Sequence, residues 1–283
     1  MFKFPEILDI PLAKWVDSIM DWLMTHLDGF FDAIGFLILH VVLGFEKLFL
    51  IIPWFIFIPL VGLAGWKLIK SWKMGLIFMT MLLMVGSFGY WELAMRTLSL
   101  VIASVFFSLL IGIPLGISMA RSDRTENILK PILDAMQTMP SFVYLIPALM
   151  FFGMGKVPAM VATIIYAVPP VIRLTNVGIR TVDKEAVEAS KAFGATPKQV
   201  LFDVQLPLAK PSIMVGINQT TMMALAMVVI GSMIGAKGLG MEVLLAINRI
   251  EVGQGFEAGI SIVFLAIIID RITFSFSKKN KDI

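Results

Sequence analysis

Residues 183–207 read DKEAVEASKAFGATPKQVLFDVQLP, a polar but strongly patterned stretch within an apolar chain. Asp183 and Glu185 put negative charge where the first turn of a helix favours it. Ala186, Ala189, Ala192 and Phe193 continue that helix with a small-residue face, and Gly194 suits a left-handed stop. Thr196 then opens a second helix as N-cap, with Pro197 at its first position and Gln199 completing a capping box. Leu206-Pro207 reads as the end of that helix. The stretch is predicted to be a compact helix–turn–helix held outside the bilayer between two apolar spans.

The bilayer follows from the surroundings of this stretch. The 283 residues are 58% hydrophobic and only 15% charged, with a mean hydropathy of +0.91. Soluble domains carry about 25% charged residues. A span needs about 20 apolar residues in helical form. Runs of that character occupy 48–66, 74–91, 97–120, 135–155, 157–172, 211–236 and 258–276, the last interrupted by Asp270 and Arg271. The expected fold is an all-α polytopic membrane protein with about seven transmembrane helices. The absence of cysteine excludes disulfides and thiolate metal sites, and with only His26 and His40 a histidine metal site would be sparse. Residues 1–20 lack a basic start followed by an apolar run, so no secretory signal is expected.

Lysine and arginine fall on alternate connections. Lys67, Lys70 and Lys73 form one cluster, Arg121, Arg124 and Lys130 a second, Arg180 through Lys210 a third, and Lys278, Lys279 and Lys281 a fourth. The positive-inside rule places all four in the cytoplasm. The net charge of +3 and pI near 9.1 thus reflect membrane orientation rather than nucleic-acid binding. Seven spans and a cytoplasmic tail at 277–283 put the N-terminus outside. Residues 1–47 agree, with three lysines against seven acids. Within them Leu12, Val16, Ile19, Leu23, Leu27 and Phe30 recur at helical spacing, opposite Asp17, Asp21, Asp28 and Asp32. This predicts an extracytoplasmic amphipathic helix on the outer leaflet or on a neighbouring subunit, and its acidic face favours protein contact. An eighth, tilted span over 30–45 is the alternative.

Ser104, Ser108, Gly112, Gly116 and Ala120 recur at every fourth position of the third run, a stripe that lets another helix backbone approach closely. Pro114 within it predicts a kink. Proline and glycine also interrupt the later runs, as helices lining a cavity or buried in protein tolerate. Polar residues at membrane depth are costly and mark function or helix pairing. Asn218 and Gln219 lead that group as candidates to face a pathway, with Arg173 and Asn176 near the end of the fifth run. Asp270 and Arg271 read as snorkelling or local pairing near the cytoplasm. No phosphate loop, His-Glu-x-x-His or Gly-x-Ser-x-Gly pattern occurs. Catalytic residues and resident cofactors are therefore not expected in this chain.

The residues Glu188-Ala189-Ser190, then Gly194 after three residues, then Val204-Gln205-Leu206-Pro207 after nine, resemble the cytoplasmic signature of ABC importer permeases. Ser190 stands where that signature has alanine and Val204 where it has isoleucine, both conservative. The resemblance extends over 97–276, which looks like the type-I permease core of five helices, with 48–91 as an addition of two. The stretches Gln137-Thr138-Met139-Pro140-Ser141-Phe142, 167–173, 185–189 and 236–240 look like the glycine betaine/proline subgroup. That resemblance implies a homodimeric permease in a bacterial cytoplasmic membrane. It also implies two partner ATPase subunits that hold ATP and magnesium, and a separate external binding protein, none being expected fused here. It implies that Glu188, Ala189, Ser190, Gly194, Leu206 and Pro207 form an ATPase-coupling loop. For a zwitterionic osmolyte, Tyr144 and Tyr166 are candidates for an aromatic cage, with packing or interface anchoring as the other reading.

The same machinery could carry choline or carnitine. An ion-coupled secondary transporter would be favoured by inverted repeats and intramembrane carboxylates. No repeat is evident, and Asp270 is the only acid within a run. An intramembrane enzyme lacks any nucleophile–base or metal constellation.

Overall fold

The computed structural model describes residues 11–278. Lys3, Glu6 and Asp9 of the acidic tail and Lys279 and Lys281 of the basic one lie outside the described residues. The described chain runs α1 (Leu12–Ile51), α2 (Trp54–Ile69), α3 (Trp72–Ser87), α4 (Trp91–Arg121), α5 (Asp123–Thr138) and α6 (Phe142–Phe152). There follow α7 (Lys156–Arg180), α8 (Lys184–Ala192), α9 (Pro197–Gln199), a π-helical segment (Val200–Gln205), α10 (Leu206–Ser232), α11 (Leu239–Arg249) and α12 (Val252–Lys278). Among the described residues five helical stretches are long and apolar enough to cross a membrane: Leu12–Ile51, Trp91–Arg121, Lys156–Arg180, Pro197–Ser232 and Val252–Phe276. The apolar helices α2 and α3 are shorter, at 16 residues each.

Three of the expected runs divide differently. The run 48–66 is broken at Ile52, which is extended (φ −75°, ψ 117°). Pro53 follows it, and proline's ring disfavours helical backbone in the residue before it. The front of that run therefore belongs to α1, a 40-residue helix interrupted only at Leu27 (φ −118°, ψ 17°). The described part of the segment 1–47 is accordingly no separate unit: its later half carries Ile38 and Val42 into the core. Its earlier half leaves Leu12, Trp15, Val16, Ile19 and Trp22 exposed. The run 74–91 ends early, at Ser87, where Gly89 turns the chain at φ +80°. The run 135–155 is not one straight helix, because α5 and α6 meet at 99°. Met139 at that break is extended (φ −69°, ψ 137°), again in front of a proline, Pro140.

The centre of the bundle is α4, α7 and α10. Gly112 of α4 faces Val168 and Val171 of α7, and Gly116 faces Ile172 and Thr175. Arg180 at the end of α7 meets Met119 near the end of α4, so the two helices run parallel. On a neighbouring face of α7, Gly178 faces Ser212 and Ala209 of α10, Gly216 of α10 faces Val171 and Leu174, and Gly231 of α10 faces Ala159. That order makes α10 antiparallel to α7. A Cβ on Gly116 would lie 2.7 Å from the Ile172 carbonyl oxygen, and one on Gly216 3.1 Å from the Val171 Cα. Between lipid-embedded helices close packing replaces the hydrophobic drive that water supplies, which is why small residues sit at these crossings. Ser104, Ser108, Gly112 and Gly116 of the stripe are buried and Ala120 is half-buried. The helix continues through Pro114, which lies on the exposed side.

The packing makes opposite signs of response expected at two glycines. Gly116→Ala drives its methyl into backbone and should destabilise the permease fold by about 1–3 kcal/mol. Gly44→Ala, in α1 with nothing within 4 Å, should stabilise by about 0.5–1 kcal/mol. Melting of the two purified variants in detergent checks both.

Candidate functional site

The polar stretch at 183–207 forms the expected hairpin. Asp183 caps α8, its carboxylate accepting from the Glu185 N–H at 2.9 Å. Gly194 closes the helix at φ +84°, its N–H donating to the Lys191 carbonyl at 2.9 Å, while the Ala195 N–H donates to Ser190 at 3.1 Å. Thr196 and Gln199 form the reciprocal capping box, with Pro197 beside the cap. Hydrophobic residues fix the base: Leu201, Ile179 and Ala209 are buried together. The tip is the reverse. No residue of α8 is buried, Phe193 is 94% exposed and Phe202 is 61% exposed.

Leu206-Pro207 does not end the second helix. Helical structure is continuous over Pro197–Ser232. Pro207 has no N–H and its ring would collide with the carbonyl four residues back. The chain meets this with the π-helical segment Val200–Gln205, closed by the Leu206 N–H donating to Leu201. A wider turn before the proline removes the steric conflict. The hairpin's second arm and the span α10 are thereby one rod.

Polar contacts brace the hairpin end of α7. Arg180, the last residue of α7, pairs with Asp123 at 2.8 Å and Glu126 at 3.0 Å, and donates to the Met119 carbonyl at 2.9 Å. Asn176 donates to Glu126 at 3.0 Å, and Arg173 pairs with Asp134 at 2.5 Å. Arg173 and Asn176 thus serve α5, which lies across α7 with Leu133 buried beneath it. The Tyr144 hydroxyl donates to the Met136 carbonyl at 2.5 Å and pins α6 to α5 across the bend.

At the opposite end of α7, a second cluster holds α1. The Glu46 carboxylate, buried, accepts from Lys156 of α7 and from Arg96 of α4, the latter at 2.6 Å. Arg96 also binds the exposed Glu92. Phe31 stacks on Phe151 at 4.0 Å between centroids. Nearby, burial pushes the Tyr90 hydroxyl above the ordinary phenol pKa, and the charges of Glu242, Glu257 and Glu251 add to that shift.

Residues 112–281 match the family model described as binding-protein-dependent transport system inner membrane component. The chain belongs to this family. It is a multi-pass membrane permease of the ABC importer class. It is 51% identical over 98% of its length to the glycine betaine/carnitine transport permease protein GbuB of Listeria monocytogenes, covering 99% of that protein. It is 47% identical over 96% of its length to the glycine betaine/proline betaine transport system permease protein ProW of Escherichia coli, covering 77% of it. Its fold matches the MetNI methionine ABC transporter in an inward-facing conformation, at a TM-score of 0.59 and 22% identity, over 64% of this chain and 91% of that one.

The residues singled out for a permease pathway separate into two places. Tyr144 and Tyr166 share one apolar cluster with Ile38, Val42 and Met160. Asn218 instead donates to Asp270 at 2.9 Å, bonding α10 to α12, and Gln219 is exposed. Asp270 thus pairs between helices, with Arg271 3.8 Å away. Glu46 was missed in the sequence because its partners lie 50 and 110 positions away. Its local signal was an acid, beside Lys47, in an otherwise apolar stretch.

Glu46→Gln should lower the stability of the permease by about 1–3 kcal/mol, since a hydrogen-bonded buried charge is lost from two cations. Glu92→Gln, on an exposed carboxylate, should cost under about 1 kcal/mol. Thermal unfolding of both variants at low and high salt measures the difference.

Proposed function

We propose that this permease imports glycine betaine or a closely related zwitterionic osmolyte across a bacterial cytoplasmic membrane. The observation that carries the coupling half of this reading is the hairpin itself: a capped, hydrophobically anchored helix–turn–helix that holds Phe193 into open space. An exposed aromatic tip on a rigid base has the form of an interface anchor. The identities to GbuB and ProW support the cargo half.

In this reading two copies of the chain pair with two ATPase subunits, which hold ATP and magnesium, and an external protein delivers the osmolyte. The hairpin, with Glu188, Ala189, Ser190, Gly194, Leu206 and Pro207, lies in the cytoplasm. The Glu46–Arg96–Lys156 cluster, at the far end of the 25-residue helix α7, lies at the outer end of the bundle, where it ties α1 to α4 and α7. That placement agrees with the basic residues crowding the hairpin end. ATP binding closes the ATPase subunits and draws the hairpins together. Because α9, the π segment and α10 are one rod, that movement passes directly into the span. The bundle opens outward, receives substrate, and returns on hydrolysis. The hairpin transmits force and performs no chemistry. Carnitine is the second cargo to test, because GbuB carries it in its name.

Gly194→Val places a β-branched residue at φ +84°, a conformation costing about 1–3 kcal/mol there. Uptake of labelled glycine betaine should be lost in cells lacking other osmolyte uptake that carry the variant with its ATPase and binding protein. Membrane levels of the permease should hold. Wild-type uptake at normal levels would remove the coupling role, uptake without the ATPase would remove the ATP-driven reading, and uptake of carnitine alone would change the cargo.

A further inference from the structure

A cavity of about 410 Å³ lies between the accessory helices α2 and α3 and the core helices α4, α10 and α12, with Phe49 of α1 closing one side. Its floor is buried: Phe57, Val61, Leu82, Val101, Leu265 and Ile268 form it. Leu60, 57% exposed, stands at its rim. Among the described residues no charged side chain lines it, and Thr221 and Thr273 are the polar ones. The Thr221 hydroxyl already donates to the Ile217 carbonyl at 2.8 Å.

The wall decides what can enter. A zwitterion would lose its hydration there and find no donors or acceptors in return, a cost of several kcal/mol. The cavity is therefore not a resting place for the osmolyte. A helix of a partner, about 10–12 Å across with its side chains, does not fit a space walled by six helices. A single hydrocarbon chain does, and the surrounding solvent at this depth is hydrocarbon. Lys67 adds the second feature. It follows Ala64 of the wall by one turn on the same face of α2 and is exposed. Basic side chains beside clefts between transmembrane helices hold lipid phosphates.

We propose that this cavity is a phospholipid site, taking one acyl chain past Leu60 onto Phe57 and Ile268, with the headgroup phosphate at Lys67. The chain then lies against Ile217 and Ile269, which flank the Asn218–Asp270 bond. The lipid joins the accessory pair to the core along the seam between α10 and α12. The site stands apart from the proposed cargo, so its test leaves uptake aside.

The purified permease–ATPase complex is placed in nanodiscs containing a trace of phosphatidylglycerol with a diazirine on one acyl chain, irradiated, and its peptides mapped. Adducts should concentrate on the cavity residues of α2 and α12 over the outward Leu63 and Trp66. Ala64→Phe fills the cavity and should cut those adducts about tenfold, equivalent to about 1.4 kcal/mol. Lys67→Gln, on the surface and safe for folding, should cut them about fivefold, while adducts from a diazirine alcohol without phosphate stay constant. Adducts spread evenly over outward residues would overturn the site, as would a folded Ala64→Phe with unchanged labelling. Displacement of the probe by excess glycine betaine would also overturn it and give the cavity to the cargo. If Ala64→Phe fails to fold, the wild-type map and Lys67→Gln decide alone.

Discussion

The close approach of both α4 and α10 to α7 is the constraint on which the rest of the structure depends. In water, helices associate to hide apolar surface; in lipid that gain is absent, and contact itself must hold them. Gly112 and Gly116 bring α4 onto α7, and Gly178, Gly216 and Gly231 bring α10 onto a neighbouring face of it. Each of these positions leaves little or no room for a methyl group without displacing a neighbour. Close packing of this kind has discrete arrangements rather than a continuous range, so the three helices are suited to move together.

The two ends of this unit are finished differently. At the hairpin end, Arg180 gathers Asp123, Glu126 and the Met119 carbonyl, fixing α5 and α4 to the last turn of α7. The π segment lets the hairpin's second arm run into α10 without a joint. At the other end, Glu46 ties α1 to α4 and α7 through Arg96 and Lys156. Force applied at Phe193 therefore meets a stiff path along α10, while α1 caps the same helices at the far end. The proposed import cycle needs such a path, because in it the energy source and the substrate lie on opposite sides of the membrane.

Much of this was legible in the sequence where the signal is local. The hairpin's stop at Gly194 and cap at Thr196 depend on neighbours within three or four residues, and both formed as read, while Asp183, read as first-turn charge, serves as the N-cap of α8. The stripe from Ser104 to Gly116 depends on helical spacing alone, and its burial followed. What failed depends on backbone geometry that hydropathy does not encode. The apolar run across Met139 and Pro140 reads as a span whether straight or bent by 99°. The proline at 207 reads as a stop because a π segment has no compositional mark. Asn218 reads as a pathway residue or as a helix tie with equal ease, and only the position of Asp270 separates the two.

The absence of cysteine makes one measurement direct. Spin labels at Met154→Cys, exposed beside the start of α7, and Lys198→Cys, on the hairpin, bracket the unit over a helix about 37 Å long. Labelled chains diluted with unlabelled ones isolate the distance within one copy, read by pulsed dipolar spectroscopy in the nucleotide-free and ATP-trapped transporter. A distance that stays the same in both states is the expected result, the hairpin and the glycine-packed helices moving as one body. A distance that changes or broadens with ATP would contradict it, because the hairpin would then swing independently of the helices it is held to drive.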